Sequence, residues 1–244
     1  MADPSERPAF YALASGGWRD YWTLLHPPYT VWHLSYVVIG ACLADEVNLR
    51  WLGESVLAFF LAVGLAAHAL DELRGRPLRT GIPDGVLWAI SVVGIGGAVG
   101  LGIQGALEVS AWLGVFIVVG GFLVVAYNLE LLGGVFHSDV WFALAWGGFP
   151  TLTGFFAQTG RITLAAVLAA AACAAISAAQ RALSTPVRHV RRDAVRIHGV
   201  METAGGATEG IDRRTLLGAP EAGLRFLSLA MPLLASALLA ARLA

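Results

Sequence analysis

The sequence predicts an all-α membrane protein, a polytopic bundle of about seven transmembrane helices. Of the 244 residues, 57% are hydrophobic and only 14% are charged, and the mean hydropathy is +0.69. The apolar residues form continuous runs rich in Ala and Leu, whereas the strands of a β-barrel would alternate apolar and polar residues. The 16 basic residues, all of them Arg, nearly balance the 17 acidic ones. This composition excludes a disordered chain, a disulfide scaffold and a basic nucleic-acid-binding protein, so no nucleic-acid partner is expected.

Seven apolar runs have the length of about 20 residues that a helix needs to cross a bilayer. They cover roughly residues 28–44, 52–72, 86–106, 109–128, 140–158, 162–181 and 223–243. We therefore expect a single helical-bundle domain over residues 28–244, in which residues 182–222 form a large loop.

Residues 1–27 are expected to form a separate N-terminal segment. Met1 to Pro8 is polar and acidic, without the basic and apolar regions of a cleaved signal peptide. The segment Phe10–Leu25 is rich in aromatic residues and is followed by two prolines. It predicts a helix lying in the membrane interface, with a disordered tail as the alternative.

The placement of arginine predicts the orientation of the chain. With the N-terminus in the cytoplasm, 13 arginines lie at the inner side and only Arg50, Arg161 and Arg242 lie outside. Cytoplasmic ends of membrane helices carry an excess of positive residues. We therefore expect an integral protein of the inner (cytoplasmic) membrane, with its N-terminus in the cytoplasm and its C-terminus outside.

A first cluster of polar residues lies at the end of the second predicted span. His68, Asp71 and Glu72 stand at helix positions i, i+3 and i+4 and therefore share one face. Three arginines follow directly: Arg74, Arg76 and Arg79. Carboxylates beside arginines suit an anionic ligand bridged by a divalent cation. The alternative is a network of salt bridges at the membrane interface.

A second cluster lies at the matching end of the fourth predicted span. Tyr127, Asn128 and Glu130 are there, and His137 and Asp139 precede the fifth span. Polar groups at membrane depth indicate a site or a water-filled cavity. Asp139 could instead serve only as a helix N-cap.

The large loop contributes a third group of candidates. Gln180, Arg181 and Arg188 lie near the mouth of the bundle, where they could contact a ligand. Apolar residues recur at helical spacing from Val187 to Ile197, with arginines between them. This pattern predicts an amphipathic basic helix on the anionic inner leaflet. The Gly- and Thr-rich segment Thr203–Gly210 predicts a flexible lid or linker.

Four segments, in order, resemble one family. They are Leu25-His26-Pro27-Pro28-Tyr29, His68-Ala69-Leu70-Asp71-Glu72, Arg76-Pro77-Leu78-Arg79-Thr80-Gly81 and Phe142–Pro150. Over roughly residues 20–200 the chain is similar to the UbiA-type intramembrane prenyltransferases. The segment from His68 to Glu72 stands where that family has its first aspartate-rich motif.

The resemblance implies a helical bundle with a cavity open to the cytoplasm and to lipid. There, Mg²⁺ would bind an isoprenyl diphosphate, whose prenyl group is transferred to a lipophilic acceptor. By position, Asp71 and Glu72 would hold the metal, and Tyr127 would close the cavity. Glu130 or Asp139 would be additional metal ligands. Asp71, Glu72 and Tyr127 form the expected catalytic set. The expected substrate contacts are His68, Arg74, Arg76, Arg79, Asn128, Gln180, Arg181 and Arg188.

Two alternatives stay open at this point. The loop after the sixth predicted span has only isolated acidic residues and no second aspartate-rich motif. This favours a UbiA-fold protein that binds a lipid or isoprenoid, or assists assembly, without catalysis. A membrane metalloenzyme is the other alternative, with His68 and His137 joining the carboxylates around a metal other than Mg²⁺. The glycine-rich third span also permits close packing between chains, in a homo-oligomer or with a partner membrane protein.

Overall fold

A computed structural model describes residues 7–244. Within these residues the chain forms eight main helices and one β-hairpin. The elements are α1 (Trp18–Leu24), α2 (Pro27–Ala41), α3 (Leu49–Leu73), α4 (Asp84–Glu108), α5 (Leu113–Asn128), α6 (Asp139–Thr159), α7 (Leu164–Asp193), β1 (Gly199–Glu202), β2 (Thr208–Ile211) and α8 (Arg213–Leu243). The expectation about a signal peptide concerns Met1 to Pro8 and mostly lies outside the described residues.

Five of these helices are long and apolar enough to cross a membrane, namely α3, α4, α6, α7 and α8. The chain is therefore an integral membrane protein built from helices. Helix α5 is apolar but shorter, and α2 has 15 residues. Each of the seven predicted runs coincides with a helix, while the number of seven membrane crossings stays a prediction.

Side-chain caps fix where several of the helices begin. The Asn48 carboxamide oxygen accepts hydrogen bonds from the Arg50 and Trp51 amides at the start of α3. Asp212 accepts from the Thr215 amide at 2.8 Å and caps α8. This hydrogen bond holds the pKa of Asp212 below its usual value. Such caps satisfy backbone amides that have no partner within the helix.

Helices α2 and α6 pack with their backbones in close contact. A Cβ atom on Gly40 would lie 1.9 Å from the carbonyl oxygen of Thr151, and one on Gly154 would lie 2.2 Å from that of Val37. On another face of α2, the buried Trp32 donates to the Tyr36 hydroxyl at 2.7 Å. Helix α2 is thus held at the centre of the bundle.

Two elements beyond the bundle core differ from the sequence-based expectations. The basic segment is not a separate helix on the leaflet, because α7 continues through it to Asp193. Val187 and Val190 pack against α8, so the apolar side of this segment faces the protein. The segment expected to be a flexible lid or linker instead closes the β1–β2 hairpin. The loop between α7 and α8 is consequently shorter than residues 182–222.

The interfacial helix is also shorter than expected. Only Trp18–Leu24, within the expected range Phe10–Leu25, is helical, and it exposes the rings of Trp18, Tyr21 and Trp22. The opposite side of α1 buries Leu24 against Ile82 and Leu87. Exposed aromatic rings beside a buried face are typical of a helix in a membrane interface.

Candidate functional site

A polar cavity of about 230 Å³ lies at the arginine-rich end of the bundle. Residues of α2, α3, α5, α6 and α7 form its walls, and Pro8 to Tyr11 of the N-terminal segment also line it. Four histidines and three arginines line it: His26, His33, His68, His137, Arg181, Arg188 and Arg192. We call this space the polar cavity.

Asp71 is the one carboxylate in the wall of the polar cavity, among the residues that the structure describes. One turn earlier on α3, His68 also lines the cavity, and its Nδ1 lies 3.1 Å from the Gly64 carbonyl oxygen. The His68 ring stacks on His26, with centroids 4.2 Å apart. Of the three residues predicted on this face of α3, His68 and Asp71 therefore reach a common cavity, and Glu72 does not line it.

Glu72 is close to Asp71 in sequence but has a different environment. Its side chain is completely buried. Its carboxylate accepts hydrogen bonds from the Leu78 amide at 2.9 Å and from the amide and hydroxyl of Thr80 at 2.8 Å each. The loop after α3 thus folds around Glu72. This geometry gives Glu72 a structural role, in contrast to the metal-binding role that the sequence predicts.

The three arginines after α3 contact protein groups and do not line the polar cavity. Arg74 donates to Glu130 at 2.8 Å, which holds the pKa of that carboxyl below its usual value. Arg76 pairs with Asp84. Arg79 donates to the carbonyl oxygen of Arg192 at 3.0 Å. The expected contacts of Arg74, Arg76 and Arg79 with a diphosphate therefore do not fit this arrangement.

Helix α7 supplies the cations of the polar cavity. Arg181 donates to Asp139 at 2.8 Å, and its guanidinium lies 5.4 Å from the centroid of the Phe142 ring. Arg188 donates to the Ser184 hydroxyl at 3.2 Å. Arg192 donates to the Pro8 carbonyl oxygen at 3.3 Å. Residues spaced by three or four along a helix share one face, which explains why these side chains converge.

The second predicted cluster reaches the cavity through three of its residues. The rings of Tyr127 and His137 lie 4.5 Å apart, and His137 Nδ1 is 3.0 Å from the Tyr127 carbonyl oxygen. Asn128 donates to the Val124 carbonyl at 2.7 Å. Glu130 does not line the cavity. Tyr127 is buried, and its hydroxyl has no hydrogen-bonding partner among residues 7–244.

Sequence reasoning missed two buried histidines, His26 and His33. His33 Nε2 lies 3.2 Å from the Gln180 Oε1 atom, which joins α2 to α7. His26 precedes α2 in a left-handed conformation, with φ of 46°, and its Nδ1 lies 2.6 Å from the Tyr11 hydroxyl. Burial, reinforced by His68, lowers the pKa of His26 well below its ordinary value. The available signal was their position in or next to the first apolar run, because ionisable side chains at membrane depth are uncommon.

A second, apolar cavity of about 130 Å³ lies between α3, α4, α5 and α6. Its walls include the rings of Phe59, Phe116 and Phe149. Val63 and Trp146 line both this apolar cavity and the polar cavity, so the two cavities are neighbours that share these side chains in their walls. The arrangement can hold a molecule with a polar end and a long apolar end.

The expected metal ligands do not converge. Among residues 7–244, no three or more His, Cys, Asp or Glu side chains form a group that could hold a metal ion. Glu72 binds the loop, Glu130 pairs with Arg74, and Asp139 pairs with Arg181. Of the predicted metal ligands, Asp71, His68 and His137 line the polar cavity.

Neither a protein-family model, nor a curated protein, nor a solved structure matches this chain.

Proposed function

We propose that the protein binds an isoprenyl diphosphate and acts as a UbiA-like prenyltransferase on a lipophilic acceptor. The observation that carries the proposal is that an arginine-lined polar cavity and an apolar cavity lie side by side and share Val63 and Trp146 in their walls. A diphosphate with a prenyl chain has the same division into an anionic and an apolar part.

The diphosphate would bind to the arginines of α7. Arg181, Arg188 and Arg192 line the cavity, and Asp71 is the one carboxylate in its wall among residues 7–244. Because Arg181 is paired with Asp139, Arg188 and Arg192 supply the positive charge available to a ligand. Guanidinium groups bind phosphate oxygens through paired, charge-assisted hydrogen bonds. The charge balance of the cavity therefore favours an anion.

The prenyl chain would occupy the apolar cavity. This cavity extends along α3 from Trp51 to Val63, a distance of about 18 Å at ~1.5 Å per residue. That length is comparable to one leaflet of a hydrocarbon core ~30 Å thick. Apolar walls of this kind stabilise a chain by removing its surface from water.

Asp71 is suited to hold Mg²⁺ together with the diphosphate. Mg²⁺ in proteins is commonly bound by one or two carboxylates and by the phosphates of the substrate. A single carboxylate in the cavity wall, among residues 7–244, is compatible with this arrangement. When bound, Mg²⁺ would add to the neutralisation of the leaving diphosphate.

In the proposed reaction, the bond between the allylic carbon and the diphosphate oxygen breaks, and its electron pair stays on the diphosphate. The arginines stabilise this negative charge. The rings of Tyr127 and Trp146, with centroids 5.4 Å apart, line the cavity beside it and stabilise the allylic cation through their π-faces. A carbon of the acceptor then forms the new bond and loses its proton to the released diphosphate.

Binding without transfer is the second candidate function. It is favoured because the described residues of the polar cavity include only one carboxylate. The neighbouring Glu72 instead accepts hydrogen bonds from the loop after α3. Formation of inorganic diphosphate in the presence of membrane lipids distinguishes the two candidates. A binding protein takes up the ligand and releases it unchanged.

The test is the affinity of the purified protein for farnesyl diphosphate, with and without Mg²⁺. We expect Arg188→Gln to weaken binding about 10- to 100-fold, because it removes charge-assisted hydrogen bonds. Arg74→Gln is the matched control, because Arg74 pairs with Glu130 away from the cavity. The absence of farnesyl diphosphate binding, or equal losses in the two variants, would contradict the proposal.

A further inference from the structure

We infer that the floor of the polar cavity is a separate subsite, formed by His33 and Tyr127, that binds the hydroxyl group of an uncharged lipid alcohol. The inference rests on the proposed function only in assigning the apolar tail of this ligand to the same apolar cavity. Its hydrogen-bonding atoms are different from the arginines that would bind a diphosphate.

The subsite lies deeper in the bundle than Arg188 and Arg192. On α7, Gln180 precedes Arg188 and Arg192 by two and three turns, and Gln180 contacts His33. His33 and Tyr127 both lie near Trp146, with ring centroids 6.4 Å and 5.4 Å away. Because Trp146 also lines the apolar cavity, this part of the polar cavity lies beside the apolar cavity.

The hydrogen bond to Gln180 determines which ring nitrogen of His33 carries the hydrogen. The carboxamide oxygen Oε1 of Gln180 can only accept a hydrogen bond. The contact of 3.2 Å therefore requires the hydrogen on Nε2 of His33. In a neutral imidazole the other nitrogen, Nδ1, is then a hydrogen-bond acceptor. Nδ1 is buried and has no partner among residues 7–244.

Tyr127 provides the complementary group. Its hydroxyl is also buried without a hydrogen-bonding partner in the described part of the chain, and the residue is 5% exposed. His33 is 7% exposed. Buried polar atoms in folded proteins nearly always have partners. Three residues of this cavity wall have such an atom without a partner among the described residues, namely His26, His33 and Tyr127. His33 and Tyr127 both lie beside Trp146, and their unpaired atoms indicate a ligand there.

A hydroxyl group satisfies both atoms. Its hydrogen can be donated to His33 Nδ1, and its oxygen can accept the hydrogen of the Tyr127 hydroxyl. Arg181, the cation that stacks on Phe142, has its charge paired with Asp139. An uncharged ligand therefore fits this part of the cavity. An ether oxygen can accept the hydrogen bond from Tyr127, but an ether has no hydrogen to donate to His33 Nδ1.

The experiment compares the binding of farnesol and farnesyl methyl ether to the full-length protein in nanodiscs. We expect farnesol to bind about tenfold more tightly, which corresponds to one buried hydrogen bond. Tyr127→Phe should weaken farnesol binding by a similar factor. Tyr36→Phe is the matched control, because Tyr36 is buried outside the cavity and bonds to Trp32.

The outcomes separate this inference from the proposed function. Equal binding of farnesol and its methyl ether, or unchanged farnesol binding by Tyr127→Phe, would overturn the hydroxyl subsite. Farnesyl diphosphate binding that is sensitive to Arg188→Gln would still support the proposed function. Conversely, selective farnesol binding without diphosphate binding would support the subsite and reject the proposed function. If Tyr36→Phe does not fold, Tyr21→Phe, with an exposed ring, replaces it as control.

Discussion

Asp71 and Glu72 are adjacent in sequence but have different roles. Asp71 lines the polar cavity, whereas Glu72 accepts three hydrogen bonds from the loop that follows α3. Two of these donors are backbone amides, which would otherwise be buried without a partner. Glu72 therefore organises the loop, and Asp71 remains available to a ligand.

Replacing each carboxylate in turn should show that Glu72 contributes to stability and that Asp71 contributes to ligand binding. We expect Glu72→Ala to lower the free energy of unfolding by about 2–4 kcal/mol, because two buried amides lose their acceptor. Asp71→Ala should change it by less than ~1 kcal/mol while abolishing the effect of Mg²⁺ on farnesyl diphosphate binding. Denaturation in detergent measures the first quantity. A neutral effect of Glu72→Ala would disprove the structural role.

The buried His26 should make the protein sensitive to acid. Burial lowers its pKa in the folded state, so below the ordinary value of about 6.5 the unfolded chain binds a proton that the folded chain does not. Stability is therefore fully present above about pH 6.5 and decreases as the pH falls below it. We expect the melting temperature of His26→Gln to depend less on pH in this range. Identical pH profiles of the variant and the wild type would contradict this.

At the scale of helices, the crossing of α2 and α6 depends on two glycines. Gly40 and Gly154 let the backbones approach so closely that no Cβ atom has room. The same crossing carries His33 on α2 and Trp146 on α6. The distance between these helices therefore determines the width of the cavity floor.

A pair of glycine substitutions tests this dependence. Gly40→Ala should destabilise the protein by at least ~2 kcal/mol, because overpacking forces the two backbones apart. Gly100→Ala is the control, because a Cβ there meets no atom within 4 Å. Since Ala favours helix over Gly, we expect the control to be neutral or up to ~1 kcal/mol more stable. Thermal unfolding of both variants measures the difference, and similar melting temperatures would argue against a close crossing.

Helices were predictable from the sequence, but the contacts of individual site residues were only partly so. Length and hydropathy located each apolar run, because long apolar segments in membranes form helices. The role of Glu72 was not predictable, because it depends on a loop that returns over the end of α3. That loop is held by Asp20 of α1, which accepts from the Gly81 amide at 3.0 Å. Such long-range contacts leave no local pattern.

The dependence on long-range contacts also explains why the arginines next to the carboxylates in sequence do not line the candidate site. Arg74, Arg76 and Arg79 follow the carboxylates directly in sequence, which suggested that they bind the same ligand. Two of them, Arg76 and Arg79, have positive φ values in the loop after α3, and none of the three lines the cavity. Arg181 and Arg188, which the sequence placed near the mouth of the bundle, do line the cavity. Arg192 was not predicted and reaches the cavity because α7 continues to Asp193.

At the scale of the whole molecule, the distribution of arginine predicts how the chain lies in the membrane. Glu46→Cys lies in the loop between α2 and α3, and Ala204→Cys lies in the β-hairpin at the other end of the bundle. We expect a membrane-impermeant maleimide added to intact cells to label only Glu46→Cys. The two native cysteines, Cys42 and Cys173, are buried and should stay unlabelled. Labelling of Ala204→Cys alone would reverse the orientation.

The central claim is that one ligand spans the two cavities, with its anionic end at the arginines of α7 and its chain in the apolar cavity. The most direct measurement is photo-crosslinking with a farnesyl diphosphate analogue that carries a photoreactive group at the end of its chain. We predict labelling near Phe59 and Phe116, prevented by unmodified farnesyl diphosphate and weakened in Arg188→Gln. Labelling confined to exposed residues such as Val92 and Val93 of α4, without competition, would contradict the claim.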